Sequence, residues 1–213
     1  LLQVDGSSHD WLEGRGPALT LVGAIDDATG QVPWAFFVDH ETTWAYLQLF
    51  WHIGLKQGLP QAVYADRHSI FWTDREPTLQ EQLAGQRPLT QVGRALHELG
   101  ITLIPAGSPQ AKGRVERLWG TFQDRLVSEL RLAGATTPAE AQAVLERVLP
   151  QHNRRFAKAP AEAVPAWRPV DRSRLSQTLC FKYRRVVAKD NTVAFRGAVL
   201  PLPKRSPFVS WAH

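Results

Sequence analysis

The sequence predicts an α/β fold: a mixed sheet flanked by helices, followed by a small basic β-domain with a barrel-like strand pattern. Three observations lead there. Strand-like runs fill the first forty residues and then alternate with amphipathic helical runs, the pattern of a sheet with helices packed on it. The 213 residues are 44% hydrophobic and 21% charged, enough chain of ordinary globular composition for one sizeable core and an appendage. The charge, finally, is unevenly spread. Residues 1–150 hold 12 Lys and Arg against 17 Asp and Glu, a balance of −5, whereas residues 151–213 hold 13 against 3, a balance of +10.

Taken in order, LLQVDGS alternates weakly and reads as a first strand ending near Asp5. ALTLVGAIDDATG is an apolar strand from Leu19 to Ile25 closed by a polar turn at Gly30, and QVPWAFFVDHE is a third, so an antiparallel meander opens the chain. TTWAYLQLFWHIGLKQG sets Trp44, Leu47, Trp51 and Leu55 on one helical face, with Gly58 and Pro60 as stops. AVYAD is a short buried strand ending at Asp66, and residues 67–89 read as a polar loop or flap. Val92, Leu96 and Leu99 mark a short helix ended by Gly100, and ITLIP is another strand.

The next helix opens well at Ser108, a good N-cap, with Pro109 at the first helical position. Val115, Leu118, Trp119, Phe122, Leu126 and Leu130 give it one apolar face. A second stripe holds Gly113, Glu116, Gly120 and Gln123, edged by Lys112, Arg114 and Arg117. Each interior glycine costs about 0.8–1 kcal/mol relative to alanine, so a smooth lane beside Glu116 asks for a reason. An ordinary solvated face is one. The approach of a large anion to Glu116 is another, and one helix does not decide between them.

TPAE at Thr137–Glu140 is a capping box that opens a further helix through Val144, Leu145, Val148 and Leu149. The division expected is a core over 1–159, an Ala- and Pro-rich linker over 160–169, and a basic β-domain over 170–213, cut short at its last strands. Within it TLCFKYRRVVAKDNTVAFRGAVLPL alternates around KDN and RG turns. So basic a tail is the usual footprint for a polyanion, most often nucleic acid, and the interleaved Trp167, Phe181, Tyr183, Phe195 and Trp211 argue against simple disorder.

Several classes drop out. A single cysteine, Cys180, excludes a disulfide framework or a Cys-rich zinc site and fits a reducing compartment. No apolar run is long enough to span a membrane, and no signal peptide is visible. The chain holds no Met and starts directly in a strand-like run, so it is expected to be a piece of a longer protein. The seven histidines show no paired ligand spacing, and Ser7, Ser8 and Cys180 lack a nucleophile setting. Carboxylates remain. Asp5, Asp66 and Glu116 stand at the ends of predicted elements, with Asp26, Asp27, Asp39 and Asp74 as competitors. Hard divalent cations take oxygen ligands, and two such ions serve phosphoryl transfer by activating the attacking oxygen and stabilising the leaving one.

VDGSSHDW, VYADRHSIF and IPAGSPQAKGRVERLWGTFQDRL together resemble the catalytic core of DDE transposases and retroviral integrases, and among these the bacterial insertion-sequence transposases, the ISNCY group included. The resemblance covers roughly residues 1–165. It implies a ribonuclease H-like fold, with Asp5, Asp66 and Glu116 as the catalytic, metal-holding acids in the family's order Asp, Asp, Glu. It implies two Mg²⁺ ions, with Mn²⁺ as substitute, and cleavage and transfer of DNA strands. SPQAKGRVER is similar to the family's Pro-Gln-x-x-Gly-x-x-Glu-Arg run, which makes Gln110 a DNA-proximal residue beside Lys112, Arg114 and Arg117. HNRRFAKAP is similar to the Asn-Arg-rich segment that follows such cores, adding Arg154 and Arg155, and the tail adds Lys182, Arg184 and Arg185. The partners implied are transposon ends and target DNA, with self-association into a multimer on DNA, no membrane, and a bacterial cytoplasmic setting at the nucleoid. One departure is Asp66-Arg67-His68, where many relatives carry Asp-Asn-Gly. A non-catalytic DNA-binding or assembly module, or a ribonuclease H-type nuclease on the same fold, stay open as alternatives.

Overall fold

The computed structural model describes residues 1–85, 87–107, 113–162 and 164–203. It divides into two compact units, Leu1–Cys180 and Phe181–His213. The first unit is built on a five-stranded mixed sheet. Its strands are β1 (Leu2–His9), β2 (Leu19–Asp26), β3 (Trp34–Val38), β4 (Ala62–Ala65) and β5 (Thr102–Pro105), in the spatial order β3-β2-β1-β4-β5. The first three form the expected antiparallel meander, and β4 and β5 run parallel to β1. Helices α1 (Thr43–Lys56), α2 (Leu79–Leu83) and α3 (Gln91–Glu98) come before β5, and α4 (Gly113–Leu132), α5 (Pro138–Phe156) and α6 (Arg172–Thr178) follow it.

The alternation of β2 shows why the sheet is buried on both faces. Val22 and Ala24 join a cluster with α1 and α3, while Leu19, Leu21 and Ile25 join a second cluster with α4 and α5. Successive side chains on a strand point to opposite faces, so a strand covered on both sides is apolar throughout. The edge strand β3 is covered as well. Gln142 of α5 accepts from the Phe37 N–H at 3.1 Å, and Asn153 both donates to and accepts from the Val32 backbone at 2.9 Å. Helix α5 thereby satisfies backbone groups that an open edge would leave exposed.

Four differences from the sequence reading have physical causes. Strand β1 does not end near Asp5 but continues to His9, because β2 offers it a partner as far as His9↔Leu19. The core side of α1 is Tyr46, Leu49, Phe50 and Ile53, whereas Trp44 and Leu55 are half exposed; a helix apolar nearly all round leaves periodicity unable to choose a face. The loop 67–89 contains α2, started by a Thr78/Glu81 capping box and braced by Arg75. And the first unit runs on through the 160–169 stretch to include α6. There Arg168 pairs with Leu59 through two backbone bonds and donates to the Leu99 and Gly100 carbonyls, while Leu175 packs over Gly54 of α1. Asp171 caps α6 by accepting from the Arg174 N–H.

Of α4, the predicted buried stripe is buried at every position from Val115 to Leu130. Its expected opening at Ser108 and Pro109 lies outside the described residues. In the second unit the described ladder is one hairpin, β6 (Thr192–Phe195) with β7 (Ala198–Pro201), turning at Arg196 and Gly197, both at positive φ. Among the described residues no helix is long and apolar enough to cross a membrane.

Candidate active site

The site is built where β1 keeps its partner on one side and loses it on the other. β4 pairs with β1 only at Leu2↔Val63 and Gln3↔Tyr64. Asp5 of β1 and Asp66, the residue directly after β4, each lie two residues beyond the last of these pairs. Asp66 is turned by its own loop. Its Oδ1 accepts from the His68 N–H at 3.3 Å, and its carbonyl accepts from the Trp72 indole at 2.9 Å. The Asp66-Arg67-His68 departure from the family pattern thus forms an Asx-type turn.

Helix α4 lies along the same face in a matched register. Gln3 accepts from the Val115 N–H at 3.2 Å, Asp5 Oδ2 accepts from the Trp119 indole at 3.1 Å, and Ser7 Oγ accepts from Gln123 at 3.1 Å. Two residues of strand rise about 6.6 Å and four residues of helix about 6 Å, so three contacts in a row stay in step. Gln3 and Ser7 are buried polar residues in a largely apolar sheet, and buried polar groups are retained only when bonded in this way. Gln3 also donates to Asp27 at 2.9 Å.

Glu116 lies one turn before Trp119 on α4 and faces solvent, with no hydrogen bond or ion pair among the described residues. No group of three or more His, Cys, Asp and Glu side chains among the described residues stands close enough together to hold an ion. Asp5 and Asp66 thus both follow the β1–β4 pairing by two residues, and Glu116 is on the helix bonded to Asp5, but among the described residues the three do not close into a cage. The donor set itself, three carboxylates with Asp5 oriented by a neutral donor, fits a hard divalent cation.

A fourth carboxylate escaped the sequence reading. Glu41 lies over Gly6, the residue after Asp5, where an added Cβ would sit 2.4 Å from Glu41 Cδ. The buried Tyr46 hydroxyl donates to Glu41 Oε1. Burial foremost, then Glu41, and then Asp5 and Asp66 push the Tyr46 phenol well above its usual range, so three carboxylates share its neighbourhood. The signal in the sequence was the glycine inside a strand, which marks close approach of another group.

The other expected contacts fall out separately. Gln110 and Lys112 lie outside the described residues. Arg114 pairs with Asp27 at 2.8 Å, while Arg117 is exposed, its guanidinium 3.3 Å from where a Gly113 Cβ would be. Arg154 and Arg155 are exposed at the end of α5, with Arg155 over the Phe156 ring. In the second unit Lys182, Arg184 and Arg185 are exposed, and Arg185 and Arg196 both stack over Tyr183 and Phe195. A Cβ at Gly120 would meet nothing within 4 Å, so the fold itself gives no reason for that glycine.

Comparison with known proteins gives consistent relatives. The chain is 39% identical over 197 residues to y4bF of Sinorhizobium fredii, a protein named as a transposase, covering 92% of this chain and 42% of that one. It is 37% identical over 157 residues to the transposase for insertion sequence IS1202 of Streptococcus pneumoniae, covering 73% of this chain and 32% of that one. The chain thus spans less than half the length of these curated relatives. Among solved structures it superposes on a chain of the simian T-cell lymphotropic virus intasome in complex with the PP2A regulatory subunit B56 gamma, with a TM-score of 0.54 at 16% identity over 79% of this chain and 58% of that one. No protein-family profile matches the sequence.

Proposed function

The chain belongs to the DDE transposase and integrase superfamily, and from that premise we propose that its first unit is the catalytic core of a DNA transposase, acting in divalent-metal-dependent strand cleavage and strand transfer. The observation that carries the reading is the β1–β4 register together with the Trp119 bond, which tie the strand of Asp5, the turn of Asp66 and the helix of Glu116 to one end of the sheet.

In this reading Asp5 and Asp66 hold Mg²⁺, or Mn²⁺ in its place, and Glu116 completes the second of two sites by turning in from solvent, a rotamer change open to an exposed helical side chain. The ions would supply charge neutralisation at the attacking and leaving oxygens of a phosphodiester. The chain's own residues orient the carboxylates: the Trp119 indole holds Asp5, and the His68 N–H holds Asp66. Gln110, Lys112, Arg117, Arg154 and Arg155 are proposed to contact DNA backbone, and in the second unit Lys182, Arg184 and Arg185 are proposed to bind DNA as well. Arg114 joins them only by leaving Asp27. Work on two DNA ends and a target makes a multimer on DNA the expected active form.

Asp66→Asn and Glu116→Gln should each lower Mg²⁺-dependent nicking of duplex DNA by at least about a hundredfold while leaving DNA binding within about twofold, since each removes one ion-holding charge and none of the cations proposed to contact DNA. Nicking by either variant at the parent rate would sink the enzyme reading and leave a DNA-binding module. Cleavage of an RNA–DNA hybrid in preference to duplex DNA would favour the nuclease alternative.

A further inference from the structure

We propose that Trp119 is a positioning residue for the reaction: its indole N–H fixes the orientation of the Asp5 carboxylate, while its backbone carries Glu116 one helical turn away, so one side chain sets two of the three acids. The inference rests on the reading of Asp5 and Glu116 given above. Three features distinguish this role from ordinary core packing.

The first is chemical. An indole N–H is a donor with no acceptor capacity, so the bond that satisfies this buried N–H also holds the Asp5 carboxylate in one direction. Packing alone asks for an aromatic ring of the right size and has no need of the 3.1 Å bond to Asp5 Oδ2.

The second is the room made for it. The cross-strand partner of Asp5 on β2 is Gly23. A Cβ there would lie 3.1 Å from Trp119 Cη2 and 2.9 Å from the Ala35 Cβ. The residue opposite Asp5 is therefore side-chain-free where the indole has to pass, and Trp119 is left 5% exposed, with Phe122 beside it. A ring so enclosed has one rotamer, and its N–H has one direction.

The third is the bracket around it. The Val115–Gln3 and Gln123–Ser7 bonds stand one helical turn on either side, so α4 cannot slide along β1 without breaking three contacts at once. Only the middle contact involves a residue proposed to hold a metal. Outer-sphere partners of this kind change metal affinity or activity by about 10- to 100-fold when removed.

The test compares Trp119→Phe with Ser7→Ala, which removes an outer contact of the same bracket and leaves Asp5 untouched. Mn²⁺ binding to the chain, followed by electron paramagnetic resonance, should weaken about tenfold or more in Trp119→Phe and stay at the parent value in Ser7→Ala. The Mg²⁺ concentration for half-maximal nicking should rise in parallel, with DNA binding unchanged. Parent-like Mn²⁺ binding and Mg²⁺ dependence in a folded Trp119→Phe protein would overturn the inference. Should that variant fail to fold, benzothienylalanine placed at position 119 keeps the bicyclic shape and replaces only the N–H by sulfur; the same loss is expected, and parent-like binding overturns the inference. Asp5→Asn run alongside separates the two levels. If Asp5→Asn itself binds Mn²⁺ and nicks like the parent, the functional reading fails; if it loses both while the Trp119 variants lose neither, the positioning role alone fails.

Discussion

The two faces of the central sheet follow different rules. Toward α1 and α3, strand β1 presents Leu2 and Val4, and Val22, Ala24, Val63 and Ala65 continue an apolar surface, which gives way to a Ser8–Thr20 hydrogen bond and to Glu41 over Gly6 further along the strand. Toward α4 the same strand presents Gln3, Asp5 and Ser7, each joined to the helix by a hydrogen bond. Over its apolar part the first face needs only shape and apolar area. The second needs donors and acceptors in register, and a polar row in a buried sheet is stable only while each bond is made. Where β1 departs from apolar alternation is therefore where the candidate chemistry sits.

The largest contrast should appear in stability. Leu49→Ala, at a fully buried position on the α1 side, should cost about 2–5 kcal/mol through lost transfer energy and the cavity left behind. Gln3→Met keeps the volume but strands the Val115 N–H and one Asp27 contact, and should cost about 1–3 kcal/mol. Urea titrations of the two variants measure both. A larger loss in Gln3→Met than in Leu49→Ala would make the polar row, not the apolar face, the main support of the sheet.

Acid should separate the faces further. On the α4–α5 side His152 is packed between Phe122 and Phe156, and burial, then the nearby Arg125 charge, lower it from an ordinary 6.5 to about 4. Between those values the unfolded imidazole takes up a proton that the folded one refuses. The unfolded state thus binds more protons in that window, and stability falls as pH drops through it. For a ring only partly withdrawn from solvent the loss is about 1–2 kcal/mol. His152→Leu should flatten the stability profile between pH 7 and pH 4.5 by that amount; an unchanged profile would assign the acid sensitivity elsewhere.

How much of this was legible in the sequence follows from the same contrast. The meander, the β4 and β5 strands and the apolar stripe of α4 are local patterns of period two or close to four, and they appear where periodicity puts them. The helix α6 was hidden, because its apolar anchor Leu175 has meaning only against Gly54, more than a hundred positions earlier. Asp5, Asp66 and Glu116 could be named from motif order, yet that Asp5 lies inside a strand depends on how far β2 pairs. Trp119 and Glu41 were invisible for a related reason. An aromatic on a buried stripe reads as core, and a glutamate before a helix reads as surface, until the partner across the sheet is known.

Two glycines on the α4 side sharpen the comparison at its smallest scale. Gly23 is required by the fold, since a Cβ would collide with Trp119 and Ala35. Gly120 is not: nothing lies within 4 Å of its missing Cβ, and its φ is not positive. Gly120→Ala should therefore stabilise the chain by about 0.5–1 kcal/mol, the helix-propensity difference. If the smooth lane beside Glu116 is clearance for DNA, the same methyl should weaken DNA-dependent nicking severalfold, so that melting temperature and activity move in opposite directions. A variant that melts higher and nicks like the parent would show the lane to be incidental to the reaction, and the methyl's only effect would be on the helix.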